Sequence, residues 1–246
     1  MKYLLFAVSL SVLSFVTDLS TWVSYENNFL YSKSTKSEVV YEREGVKIYK
    51  NNNFDIMVFN PKNMSFGVST SKPKNVNFYM NSNFFDNAPI GLVVVNGYRS
   101  SDRVESGGYF YVKDGNPYIG IKYCPGYTDY ASQSILWGIR NGKPNNWLIK
   151  QEHAKIKTYR NIVGKDKNGN IVVIVSNRGG VVTIKDIIGE GLMIGMVDGV
   201  LFDGGTSVDY KYKDNKYSNR FKSLSGTLKK IGGVDEPPVY IYGNLN

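Results

Sequence analysis

Hydrophobic and polar residues alternate in short runs through the first half of the chain, and most runs end at glycine, asparagine or aspartate. "VVYEREGVKIY", Val39 to Tyr49, reads as a strand, a turn at Glu44-Gly45 and a second strand. "FDIMVFNP" and "MSFGVSTS" continue the pattern, broken at Asn60-Pro61. "GLVVVNGYRS" ends in Asn96-Gly97 and "GGYFYVKDGNPYIGI" turns at Asp114-Gly115, both strong hairpin signals.

The second half changes period. "NIVGKDKNGNIVVIVSNRGG" is a hairpin turning at Lys167 to Asn170. In "VTIKDIIGEGLMIGMV" the apolar residues Ile184, Ile187, Ile188 and Leu192 take the spacing of one helical face. Thr183 is placed to cap that helix, with Asp186 an acid in its first turn. Strand, helix and strand in succession predict a crossover unit. The expected fold is therefore α+β: a single domain on a mixed, mostly antiparallel β-sheet with a few helices.

Composition narrows the class. The chain has 246 residues, 42% hydrophobic and 21% charged, with 25 glycines and 19 tyrosines. That is enough chain for a sizeable core and a turn-rich β fold. The formal charge of +9 fits an anionic partner, but the lysines are scattered, with no basic helix and no dense cluster. Specific nucleic-acid binding would rest on charge and tyrosines alone. The single Cys124 rules out an intramolecular disulfide, and with one histidine, His153, a zinc centre of the usual kind is not expected. No cofactor is implied, and a divalent cation would need oxygen ligands.

In residues 1–22 one lysine, Lys2, precedes a mostly apolar run that then turns polar, which resembles a secretory signal. An uncleaved anchor and a buried strand are the alternatives. The signal reading predicts a secreted, cell-surface or periplasmic protein, one domain over 23–246, and membrane contact only through the N-terminal segment. Oligomeric state is not read from the sequence.

The richest local chemistry is "GVLFDGGTSVDY". An apolar run ends on Asp203, followed by Gly204, Gly205, Thr206 and Ser207. A carboxylate just past a buried strand stands where ligand clefts open, and glycine amides beside two hydroxyls suit an anionic oxygen. A turn in which Asp203 caps its own backbone explains the same residues equally well.

Collinear motifs add to this. "LFDGGTS" resembles the "LDGGGS" signature of the phosphodiester glycosidase family. "YMNSNFF" resembles its "INAGFF" or "NGGFF". "GLVVVNGYRSSDRVESGG" resembles its next strand and "SGG" segment, "LWGIRNGKP" its "LIRNG", and "YRNIVGKDKNGNIVVIV" its "RTAIGxxxxGxLxLV". The resemblance runs from about Lys47 to Ser207.

It implies hydrolysis of a sugar joined through its anomeric oxygen to a phosphodiester, with an anionic, phosphate-containing glycan as partner. It carries over Asn81, Arg160 and Asp203 as pocket residues, with Gly204, Gly205, Thr206 and Ser207 forming the turn. Arg160 suits a two-pronged grip on phosphate. Asp203 suits a nucleophile, base or oxocarbenium stabiliser, and Asn81 an orienting group for the sugar. The second carboxylate is Glu105, in the segment the family places near the cleft, or Asp198, five residues before Asp203. Asn83, Asn161 and Thr206 depart from the family pattern and put the substrate in doubt more than the reaction. The competing expectation is a non-catalytic glycan-binding or structural module, in a cell envelope or a phage particle.

Overall fold

The computed structural model describes residues 37–43, 45–177, 180–213, 215–218 and 238–246, with the backbone alone at Thr206 and at 215–218. The boundary expected after residue 22 lies outside these residues, and the described chain belongs to one compact unit, Ser37–Asn246.

Three sheets carry the fold. The largest is built from β1 (Glu38–Arg43), β2 (Val46–Lys50), β3 (Phe54–Phe59), β13 (Leu136–Arg140), β14 (Lys143–Pro144), β15 (Asn161–Asp166), β16 (Ile171–Ser176) and β17 (Met196–Leu201). Its order is β1-β2-β3-β16-β15-β17-β13-β14. A second contains β8 (Val93–Val95), β9 (Tyr98–Ser101), β10 (Gly108–Lys113), β11 (Asn116–Ile121) and β12 (Tyr130–Ser134), ordered β11-β10-β12-β8-β9. The third contains β4 (Met64–Ser69), β5 (Phe78–Asn81), β18 (Asp209–Tyr212), β19 (Asn215–Ser218) and β20 (Tyr240–Leu245), ordered β19-β18-β5-β20-β4. A short ribbon pairs β6 (Phe85–Asp86) with β7 (Ala88–Pro89).

Every described ladder is antiparallel, as the many short hairpin signals predict. The α+β class read from the sequence is the class observed. β16, "IVVIVS", is buried along its whole length, so it reads as an unbroken apolar run rather than an alternating one. The β15–β16 turn is fixed by Asp166, whose carboxylate accepts the amides of Asn168 and Asn170 at 2.8 and 2.9 Å. One aromatic chain links the three sheets: Phe78–Phe59 at 5.0 Å, Phe59–Phe66 at 5.8 Å and Phe66–Phe110 at 5.9 Å between ring centres. All four rings are buried, each contributing about 1.5–3 kcal/mol by leaving water.

The helices are few. α1 (Asn146–Lys150) and α2 (Glu152–Lys155) are short, and α3 (Ile184–Met193) is the helix the periodicity predicts. Thr183 accepts the Asp186 amide while the Asp186 side chain returns to Thr183, a full capping box. Ile184, Ile187 and Ile188 face the core, and Leu192 is half-buried. α3 joins β16 to β17, and both strands run antiparallel to β15 between them. The expected crossover is therefore present, but it passes over one intervening strand. β17 then delivers Phe202 and Asp203 to the end of the sheet.

Candidate functional site

Asp203 follows the buried run Val200-Leu201-Phe202, and its main chain is held from three directions. Its N–H donates to the Ser82 carbonyl at 3.3 Å. Its carbonyl accepts two side-chain amides, Asn81 Nδ2 at 2.8 Å and Asn161 Nδ2 at 2.9 Å. Each donor comes from a strand that ends or begins here: Asn81 closes β5 and Asn161 opens β15. Asn81 also accepts the Asp209 N–H on Oδ1 at 3.0 Å, so one buried amide ties the turn after β17 to the start of β18. β12 contributes Ser134, whose hydroxyl donates to the Leu201 carbonyl.

The glycines after Asp203 are required by space and by backbone. A Cβ on Gly204 would stand 2.6 Å from the Tyr159 carbonyl oxygen, which the Gly205 N–H already bonds at 2.7 Å. Gly205 has φ +62°, the left-handed region that favours glycine, and opens a single 3-10 turn over Gly205–Ser207. The Ser207 N–H closes that turn on the Gly204 carbonyl at 3.2 Å. The whole segment is thereby pressed against Tyr159 and Arg160.

Arg160 is positioned by both its neighbours. Its N–H donates to Ser176 Oγ at 2.9 Å and its carbonyl accepts the Ser176 N–H at 2.8 Å. Its Nη2 donates to the carbonyls of His153 and Ile156, each at 3.1 Å. Those are among the carbonyls left without helical partners at the end of α2, a natural seat for a guanidinium. Burial pushes the guanidinium below its usual value, and the Asp203 carboxylate beside it opposes that shift. Asp203 and Arg160 are both half-buried, so the charged pair stays within reach of solvent.

One sequence expectation changes here. With both Nη2 protons given to main-chain carbonyls, a ligand oxyanion meets Nη1 or Nε singly. The two-pronged grip on phosphate requires Nη2 to leave a carbonyl.

At this site three buried polar atoms, Ser82 Oγ, Arg160 Nε and Asn161 Oδ1, have no hydrogen-bond partner among the described residues. Each belongs to a residue that bonds the Asp203 main chain or carries charge beside its carboxylate. A buried unmade hydrogen bond costs about 1–3 kcal/mol, so such atoms are normally completed by water or a ligand. The set offers one N–H donor, one carbonyl acceptor and one hydroxyl that does either. A molecule carrying both hydroxyls and anionic oxygens satisfies it.

The two candidates for a second carboxylate separate. Asp198 accepts the Asn141 N–H at 3.1 Å and pairs with Lys165 at 3.3 Å, so it is engaged in the sheet several residues from the turn. Glu105 is exposed on a loop gripped by Gln133, which donates to the carbonyls of Val104 and Ser106 at 2.8 and 2.9 Å. No described contact joins its carboxylate to Arg160 or Asp203. The loop runs into Gly107 and Gly108, which pack against the end of β12 and against β17 with no room for side chains. A Cβ there would fall 1.8 Å from the Ser134 carbonyl oxygen and 2.1 Å from Val200 Cγ1.

The departures from the family motifs find places. Asn83 is buried and turned inward, accepting the Ser132 hydroxyl and donating to the Ile90 carbonyl at 3.2 Å. Asn161 is the second clamp on the Asp203 carbonyl. The Thr206 side chain lies outside the described atoms. His153 is exposed and serves through its carbonyl, and Cys124 is buried with its thiol pushed up to about 11. Sequence reasoning missed Ser82, and it missed Asp209, a buried acid that pairs with Lys72 at 2.6 Å. Among the described residues no three acidic, histidine or cysteine side chains converge as a metal site would.

A family model described as phosphodiester glycosidase matches residues 74–232. Among solved structures, the fold is similar to the catalytic domain of zebrafish N-acetylglucosamine-1-phosphodiester alpha-N-acetylglucosaminidase, auto-inhibited there by its pro-peptide. That match has TM-score 0.59 and 12% identity, covering 85% of this chain and 82% of that one. A hypothetical protein from Synechocystis matches with TM-score 0.59 and 11% identity, covering 85% of this chain and 61% of that one. A sequence search of curated proteins finds no match.

Proposed function

This chain belongs to the phosphodiester glycosidase family, and from that premise we propose that it hydrolyses a glycosyl phosphodiester in a cell-surface or envelope glycan. One observation carries the reading. Asp203, its main chain clamped by Ser82, Asn81 and Asn161, stands beside the Arg160 charge among unpartnered donors and acceptors that a sugar phosphate would complete.

In the proposed reaction the bond between the anomeric carbon and the phosphate oxygen breaks. The phosphate leaves as an anion with the bonding electrons, water oxygen ends on the anomeric carbon, and a proton goes to solvent. Asp203 stabilises the positive charge that grows on the sugar ring or attacks it directly. Arg160 balances the phosphate charge in a partly dry setting, where such attraction is strong. Because phosphate leaves readily, the reaction places little demand on a strong acid, and an exposed Glu105 is adequate as the second carboxylate. Gly204 and Gly205 let the turn lie against Tyr159 and Arg160, and Ser207 supplies a hydroxyl. The sugar we propose is N-acetylglucosamine or a related amino sugar, the group named for the zebrafish relative. The chain's charge of +9 would concentrate it on a polyanionic envelope polymer.

The test is release of reducing sugar from a methyl N-acetylglucosaminyl phosphodiester. Wild type should turn it over, and Asp203→Asn should lower kcat by roughly 1,000-fold with an unchanged melting temperature. Equal rates in the two proteins would remove Asp203 from the chemistry. Tight binding of phosphorylated glycans without any release would assign a glycan-binding module instead.

A further inference from the structure

Next to the Asp203 site lies a cavity of about 720 Å³ between the β4–β5 connection and β18. Lys72 and Lys74 line it from the connection and Lys211 from β18, so three lysines from two distant segments share its wall, and among the described residues no carboxylate lines it. The cavity adjoins the site through β5. Tyr79, in its wall, lies two residues from Asn81 on the same face of the strand, about 7 Å away. Lys72 bonds Asp209 at 2.6 Å, and the Asp209 N–H bonds Asn81, whose amide holds the Asp203 carbonyl. Lys72 is thus partly neutralised. Lys74 is exposed, and among the described residues Lys211 makes only a long 3.4 Å bond to the Val76 carbonyl.

We propose that this cavity is a second anion subsite, holding a further phosphate of a phosphodiester-linked glycan while the scissile phosphate sits at Arg160. The inference rests on the hydrolase reading above and extends it: the substrate is a chain with repeated phosphates, not an isolated diester. A polynucleotide also repeats phosphates, but it is bound by stacking bases on open aromatic faces. Tyr79 offers none. It is 3% exposed, packs edge-on against Tyr240 with centres 5.8 Å apart, and lies 5.1 Å beneath the Lys72 ammonium.

The experiment compares wild type with the double variant Lys74→Ala/Lys211→Ala, and with Lys74→Arg/Lys211→Arg as a charge-keeping control. Two substrates are used, the methyl diester and a poly(glycosyl phosphate). The alanine pair should keep kcat/KM on the diester within twofold and raise KM on the polymer roughly tenfold, with a weaker salt dependence. The arginine pair should behave as wild type. Binding of the same polymer and of a single-stranded oligonucleotide of equal charge is measured separately in the Asp203→Asn background. There, polymer binding should fall about tenfold on removing the lysines, and the oligonucleotide should bind more weakly than the polymer. Polymer affinity indifferent to the lysines, or an oligonucleotide bound as tightly as the polymer, overturns the subsite. Lysine-dependent polymer binding with neither substrate cleaved leaves the subsite standing and defeats the hydrolase reading.

Discussion

Gly204 and Gly205 are glycines for different reasons, and the difference is measurable. Gly204 has an ordinary φ of −109°, but a methyl group there would press within 2.6 Å of a main-chain oxygen. Gly205 has room, its nearest contact being Thr158 Oγ1 at 3.6 Å, but it needs the left-handed backbone. Gly205→Ala should therefore cost about 1 kcal/mol, or 2–4 °C in Tm for a chain of roughly this size. Gly204→Ala should cost more, because either Tyr159 or the turn must shift and the Gly205–Tyr159 bond goes with it. Thermal denaturation of the two variants decides it, and equal losses would contradict this account. Asp203 was legible in the sequence because an apolar run ending on an acid and two glycines is a local signal. Asn161 and Asp209 were not. The bonds that bring them to the site reach 42 residues to Asp203 and 128 residues to Asn81, and no local pattern reports such pairings.

Among the elements, α3 was readable from end to end, since its apolar spacing and its capping pair both lie within eleven residues of sequence. It also holds a cost. Glu190 is only 9% exposed and accepts the Asn51 side chain at 3.1 Å. Burial pushes its carboxyl above the usual value of 4.5, and the Asn51 bond only partly opposes this. The folded chain therefore holds that proton more tightly than the unfolded one. The stability this gives is complete below about pH 4.5 and is lost as pH rises through the raised value. Glu190→Gln should raise Tm at pH 7, with the gain vanishing below pH 4.5; a gain independent of pH would exclude this cause. α1 and α2 were not legible, with five and four residues and a break at Gln151. Runs so short carry no helical period, yet α2 supplies the carbonyls that seat Arg160. The hairpins, by contrast, announced themselves: Asn96-Gly97 and Asp114-Gly115 both turn with positive φ, as those pairs demand.

For the molecule as a whole, the sequence conveyed the class of fold and the order of hairpins, because alternation and turn residues are local. How three sheets meet around Phe59, Phe66, Phe78 and Phe110 was not conveyed, since each phenylalanine looks the same in its own strand. The same holds for charge. Thirty lysines and arginines look scattered along 246 residues, and only folding brings Lys72 and Lys74 beside Lys211.

The clamp on the Asp203 carbonyl has a consequence in time. Its two amides come from positions 122 and 42 residues earlier in the chain, whereas each hairpin closes within a few residues. Distant closures lose more chain entropy and tend to form late. On refolding from denaturant, strand signal in circular dichroism should recover first. Protection of the Asp203 amide from hydrogen exchange should follow as a slower phase. A newly made chain would then be globular before it is competent, and hydrolysis would begin only after the last long-range contact has locked.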